Sequence, residues 1–266
     1  MKFTFEPQAS AYSPENAYRL AVAAQLAYES GATVESTVRG WGFATVTFVS
    51  HGSTQCFVAG RSDLVLVVFR GTEPTSFADW LTDAQVAHED HPLGGSVHHG
   101  FDHAWKQVRS AVWAAAGASA GTAAAPPLWL AGHSLGAALA VLAAADRLAT
   151  GAAVQGLYTY GQPRTGSRRF ARLLYAGLGS GRYFRFVNNN DIVTRIPPGV
   201  MGYCHTGALR YFDADGTLHG DASRWTRLAD RVRGRLEAAL EPGTDGVHDH
   251  AIGRYVKLLE SRPPVV

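Results

Sequence analysis

The sequence predicts an α/β protein with a mostly parallel central sheet flanked by helices. Three observations carry that reading. Short runs rich in β-branched and aromatic residues alternate with helical stretches, which implies βαβ units. "LVLVVF" (64–69) is apolar on both faces, as in a central strand covered on both sides. "LWLAG" (128–132) is followed at once by an alanine-rich helical stretch at 135–149.

In chain order, Pro14 to Ser30 reads as a helix. Ser13 is its cap, Pro14 sits in its first turn, and Ala17, Leu20, Ala21 and Ala24 share a face. Trp41 to Ser50 and Thr54 to Ala59 read as strands joined by "HGS", and Leu64 to Phe69 as a third strand. His103 to Ala116 is helical, followed by "GASAGTAAAPP", a surface loop. After "LWLAG" and its helix come "GLYTYG" as a strand, Ser167 to Tyr175 as a helix and "RYFRFVNN" as a strand. "ALRYFDADGTLH" reads as a hairpin across Ala214-Asp215-Gly216. Arg224 to Leu240 is amphipathic, with an apolar stripe through Trp225, Leu228, Val232 and Leu236. "EPGTDGVHDH" reads as a loop and Ala251 to Glu260 as a closing helix. No internal repeat or linker divides the chain, so residues 1–266 are read as a single domain.

Bulk properties exclude several classes. Of 266 residues, 46% are apolar and 17% charged, enough for a substantial core. A net charge of +2, without a basic block, gives no footprint for nucleic acid. Cys56 and Cys204 make no disulfide framework; they read as two buried free thiols, with one disulfide as the alternative. The N-terminus has no apolar signal-peptide core, which points to the cytoplasm for the chain as given. The alternative is a secreted protein whose signal peptide lies outside this sequence. No apolar run is long enough to span a bilayer, so no transmembrane segment is expected.

The chemistry centres on Gly132-His133-Ser134-Leu135-Gly136. A serine hydroxyl needs an adjacent base, a group to orient that base, and donors for the oxyanion. In an α/β-hydrolase the nucleophile sits on a strained turn between strand and helix. Here "LWLA" supplies the strand and "LGAALAVLAAADRLA" the helix, with small residues flanking the turn. The helix N-terminus points its N–H groups toward the site of developing negative charge. In that fold an acid and then a histidine follow the serine. Asp191, directly after "YFRFVNNN", sits at the C-terminal end of a predicted strand, whereas Asp213, Asp215 and Asp221 fall in a hairpin and a cap-like position. For the base, His205, His219, His248 and His250 are available; spacing favours His250, with His248 the runner-up.

Several segments together resemble one family, the fungal-type or class 3 triacylglycerol lipases of the α/β-hydrolase superfamily. They are "VVFRGTEPTSFADWLTD", "VHHGF", "AGHSLGAALAVLAA", "YTYGQPRTGSRRF", "FRFVNNNDIVTRIPP", "YCHTG" and "DHAIGRYV", in the family's order and covering roughly 61–256. The resemblance implies Ser134, Asp191 and His250 as a catalytic triad and the backbone N–H groups of Thr72 and Leu135 as the oxyanion hole. It implies an ester lipid substrate, most directly an acylglycerol, and no cofactor. A phospholipase A1 or feruloyl-type esterase would use the same machinery. An acyltransferase or a non-catalytic binding protein on this fold is a more distant alternative. The sequence departs from the secreted fungal members in lacking a signal peptide and several disulfides, and in the extra amphipathic helix at about 224–240.

The resemblance also implies a lid over about 73–90. Phe77, Trp80, Leu81 and Ala84 share one helical face there, which suits transient contact with a lipid surface. "HEDHPLGGSVHHGFDH" holds five histidines, yet none at an H-E-x-x-H spacing, so no metal is expected; the family pattern accounts for His98 as structural.

Overall fold

A computed structural model describes residues 3–72, 87–119, 126–220 and 245–266. Residues Phe77, Trp80 and Leu81, and the amphipathic stretch 224–240, lie outside the described residues.

The chain opens with helix α1 (Pro14–Leu26). Ser13 Oγ accepts from the Asn16 N–H, satisfying one of the orphan donors of the first turn. A second helix, α2 (Gly31–Gly40), capped by Ser30, lies where the sequence offered no element. Strands β1 (Thr45–His51), β2 (Thr54–Arg61) and β3 (Leu64–Phe69) form an antiparallel meander. His51 pairs with Thr54, and Gly52 takes φ +57° in the two-residue turn between them. Short strands β4 (His88–Asp90) and β5 (Ser96–His98) pair with each other, so the last residues of the expected lid span are extended. Helix α3 (His99–Ser119) starts four residues earlier than its periodicity indicated.

Then come β6 (Leu128–His133), α4 (Leu135–Ala149), β7 (Gly156–Tyr160), β8 (Gly166–Ser167), α5 (Arg168–Leu178) and β9 (Tyr183–Asn188). Strands β10 (Tyr203–Cys204), β11 (Ala208–Phe212) and β12 (Leu218–His219) follow. The expected hairpin is the β11–β12 pair. The segment read as a loop before the closing helix α7 (Ile252–Glu260) contains a short helix, α6 (Asp245–His250).

The main sheet runs β1-β2-β3-β6-β7-β9-β11-β12, with the five strands from β3 to β11 parallel. Strand order never reverses along the chain. Right-handed crossovers that always step the same way put their helices on one face. Accordingly α3, α4 and α5 share one core with the sheet, built around Trp105, Val108, Leu139, Phe170 and Leu174. The opposite face is covered by the ends of the chain: α1, α2 and α7 supply Leu20, Val34, Val38, Tyr255 and Leu259 to a second core with Phe57, Leu66, Tyr158 and Phe186.

Helix α4 is buried on all sides from Leu135 to Ala145, which explains a sequence apolar all round its circumference. Truncating the fully buried Leu139 there costs about 2–5 kcal/mol. Cys56 is buried in this core, and burial pushes its thiol up to about 12; Cys204 is only partly buried, and both are free.

Candidate active site

The parallel strands end on one edge of the sheet, and the candidate residues gather there. Ser134 lies between β6 and α4 with φ +58° and ψ −128°, a conformation that costs a non-glycine residue about 1–3 kcal/mol. It persists because its surroundings hold it. Its N–H donates to the Tyr160 carbonyl at 3.0 Å, tying the turn to the next strand. A Cβ on Gly132 would stand 2.2 Å from the Gly136 carbonyl oxygen, so glycine is required where strand and helix cross. Ser134 is fully buried, and its Oγ has no hydrogen-bond partner among the described residues.

Asp191 follows β9 and is fully buried. Its Oδ1 accepts from the Val193 N–H at 2.9 Å, and its Oδ2 accepts from the Tyr255 hydroxyl at 2.6 Å. His250 Nδ1 lies 3.0 Å from both carboxylate oxygens. Burial alone would raise the Asp191 carboxyl; the charge and hydrogen bonds of His250, with the Tyr255 hydroxyl, outweigh it and hold the group below its ordinary range. An acceptor-only carboxylate therefore takes its proton contact from Nδ1–H, which leaves Nε2 of a neutral ring with the lone pair.

The structure brings His250, not His248, to Asp191. His248 is exposed and faces Arg254. The other spacing candidates are occupied elsewhere. His205 Nε2 contacts the Thr194 carbonyl, and His219 pairs with Asp213 on the β11–β12 hairpin.

The loop after β3 lies against the nucleophile. A Cβ on Gly71 would approach Ser134 Cβ to 2.9 Å, and one on Gly136 would approach the Phe69 carbonyl oxygen to 2.3 Å. The end of β3 and the start of α4 are thus in contact; Thr72 follows Gly71 in the loop after β3, and Leu135 follows Ser134. Thr72 Oγ1 is buried without a hydrogen-bond partner among the described residues. Leu135 opens α4, whose first N–H groups have no intrahelical acceptor.

Tyr255, Gly161 and His133 belong to this arrangement and were not singled out by sequence reasoning. Tyr255 reads as one more apolar position of the closing helix, and only its hydroxyl distinguishes it. Gly161 takes φ +57°, and a Cβ there would stand 2.7 Å from Asp191 Oδ2 and 2.8 Å from His250 Nδ1. Its signal was the glycine immediately after a strand in "GLYTYG". His133 stacks on His250 with ring centroids 4.5 Å apart. Among the described residues, no group of three or more His, Cys, Asp or Glu side chains is placed to hold a metal ion.

Comparisons with known proteins point to one family. The model of the family "Lipase (class 3)" matches residues 66–201, just over half of the chain. The secreted mono- and diacylglycerol lipase A of Penicillium cyclopium is 34% identical over 170 residues, covering 61% of this chain and 54% of that protein. The secreted mono- and diacylglycerol lipase 1 of Fusarium solani is 34% identical over 163 residues, covering 60% and 47%. The chain thus spans about half the length of the curated relatives it matches. Among solved structures, the Rhizomucor miehei triacylglyceride lipase superposes with a TM-score of 0.59 at 27% identity, covering 74% of this chain and 79% of that one. The mostly parallel sheet flanked by helices is the α/β-hydrolase fold those lipases share, and the chain belongs to the class 3 lipase family.

Proposed function

We propose that the protein hydrolyses carboxylic esters of acylglycerols through an acyl-enzyme on Ser134. The observation that carries this reading is the buried Asp191–His250 pair at the strand ends beside a serine held at φ +58°. Ser134 Oγ attacks the ester carbonyl as His250 Nε2 takes its proton. Asp191 holds the Nδ1–H tautomer and stabilises the imidazolium. The N–H groups of Thr72 and Leu135 bind the tetrahedral oxyanion. His250 then returns the proton to the leaving alcohol, and water repeats the sequence on the acyl group. In the resting arrangement Oγ makes no hydrogen bond to a described residue; the contact with His250 forms as substrate fills the site.

The acylglycerol assignment rests on the relatives: two are named as mono- and diacylglycerol lipases and one as a triacylglyceride lipase. Two carry "secreted" in their names, which supports secretion over the cytoplasmic expectation. No helix among the described residues is long and apolar enough to cross a membrane. Contact with a lipid surface is assigned to Phe77, Trp80 and Leu81 on their apolar spacing alone. Turnover of p-nitrophenyl esters and of emulsified mono-, di- and triacylglycerols, with Ser134→Ala beside the native chain, tests the reading. Loss of at least ~10³-fold in Ser134→Ala is expected. Full activity in that variant removes the mechanism.

A further inference from the structure

The residue preceding the nucleophile is itself wired into the site. His133 Nε2 lies 2.7 Å from the backbone carbonyl oxygen of His250. Its Nδ1 lies 2.7 Å from the hydroxyl of Tyr28, just beyond the end of α1. A carbonyl only accepts, so Nε2 carries the hydrogen, Nδ1 carries the lone pair, and Tyr28 donates to it. Both ring nitrogens are thereby used, and one tautomer is fixed.

We infer that His133, oriented by Tyr28, is a positioning residue that grips the main chain of His250 and so aims its imidazole at Ser134. This inference rests on the hydrolase reading above. Consecutive residues of the elbow then serve the same histidine, His133 through its carbonyl and Ser134 through its ring.

Three further observations fit a clamp. The preceding carbonyl, of Asp249, is held in the same manner by Asn188 Nδ2 at 2.9 Å, so two successive carbonyls are anchored to the ends of β6 and β9. Tyr28 is itself tightly placed: a Cβ on Gly71 would stand 2.2 Å from its hydroxyl oxygen, and Arg70 lies over its ring at 5.4 Å. The titratable groups facing His133 are Tyr28, His250, Tyr255 and Asp191. Burial holds its imidazole down to about 3, so it stays a neutral, single-donor ring while His250 cycles its proton. A ring needed only to fill space would require neither nitrogen.

The test separates filling from gripping. His133→Phe keeps a stacked ring and deletes both hydrogen bonds. His133→Gln returns an N–H near the position of Nε2. Tyr28→Phe removes only the donor that fixes the tautomer. With a soluble short-chain p-nitrophenyl ester, His133→Phe is expected to lose about 10²-fold in kcat with KM unchanged. Tyr28→Phe should lose about tenfold, and His133→Gln should recover most of the loss. Wild-type kcat in folded His133→Phe overturns the inference. If His133→Phe does not fold, wild-type kcat in Tyr28→Phe overturns it. Native turnover abolished by Ser134→Ala, beside unaffected His133 and Tyr28 variants, defeats this inference alone. An inactive native chain defeats the hydrolase reading instead.

Discussion

Two Asp–His pairs stand near the same end of the molecule, and they differ instructively. In the Asp213–His219 pair, Nε2 lies 2.7 Å from Oδ2, closer than the 3.0 Å of Asp191–His250. Yet Asp213 also accepts from the N–H groups of Asp215 and Thr217, so its carboxylate builds the β11–β12 turn. Its side chain is 26% exposed, whereas that of Asp191 is 0% exposed. The second carboxylate oxygen of Asp191 goes to a buried tyrosine, and its histidine stacks on the elbow. Contact between an acid and an imidazole is therefore not what makes a site. Burial and a serine held at φ +58° beside it set the Asp191 pair apart.

Substitutions can break that contrast, and the largest effect falls on Asp191. Asp191→Asn should lower kcat by about 10³–10⁴-fold, because the imidazole loses its tautomer and its counter-charge. Ester turnover checks it. Next is Gly161→Ala, whose methyl group would collide with Asp191 and His250 at a left-handed backbone position. About 10²-fold loss in kcat is expected, with little change in KM.

Tyr255→Phe should cost about tenfold in kcat and about 2 kcal/mol in stability, read from urea unfolding. It removes a donor to a buried carboxylate and leaves the Asn188 N–H, now 3.0 Å from the Tyr255 hydroxyl oxygen, unpaired.

Acid should separate the two regions by stability. Burial holds His133 down to about 3 and His98 down to about 4. Below the unfolded value of about 6.5 the unfolded chain binds protons that the folded chain refuses, so stability falls as pH drops from about 6.5 towards those values. The urea midpoint should decline over that window. His133→Phe should flatten the slope across the window, while Asp213→Asn acts only at its acid end, because burial of the Asp213 carboxyl is outweighed by hydrogen bonds from His219, Thr217 and Asp215, which hold it below its ordinary range. The smallest effect is that of Asp213→Asn on turnover: none, with a stability change within about 1 kcal/mol, as for a pair open to solvent screening.

Much of this was legible in the chain. "LVLVVF", "LWLAG" and the alanine-rich α4 announced a buried parallel sheet because strands and helices covered on both sides are apolar throughout. Order and addresses at element ends point to Ser134 and Asp191, whereas the choice of His250 over His248 rests on the family resemblance. Helix α2 was not legible: only Val34 and Val38 anchor it, among β-branched residues and glycine that favour other conformations. Tyr28 and Tyr255 were hidden for another reason. A tyrosine on an apolar face looks like core until its hydroxyl is seen to reach something 105 or 64 residues away.

The unreversed strand order has a consequence in time. Because every crossover steps the same way, the sheet's second face stays open until the two ends of the chain close over it. His250 and Tyr255 arrive with that closure, and Arg262, whose guanidinium lies over Tyr18 at 3.9 Å, fastens it to α1. The proposed base thus meets Asp191 only when α7 is docked, so the arming of the serine is tied to the closing of the second face.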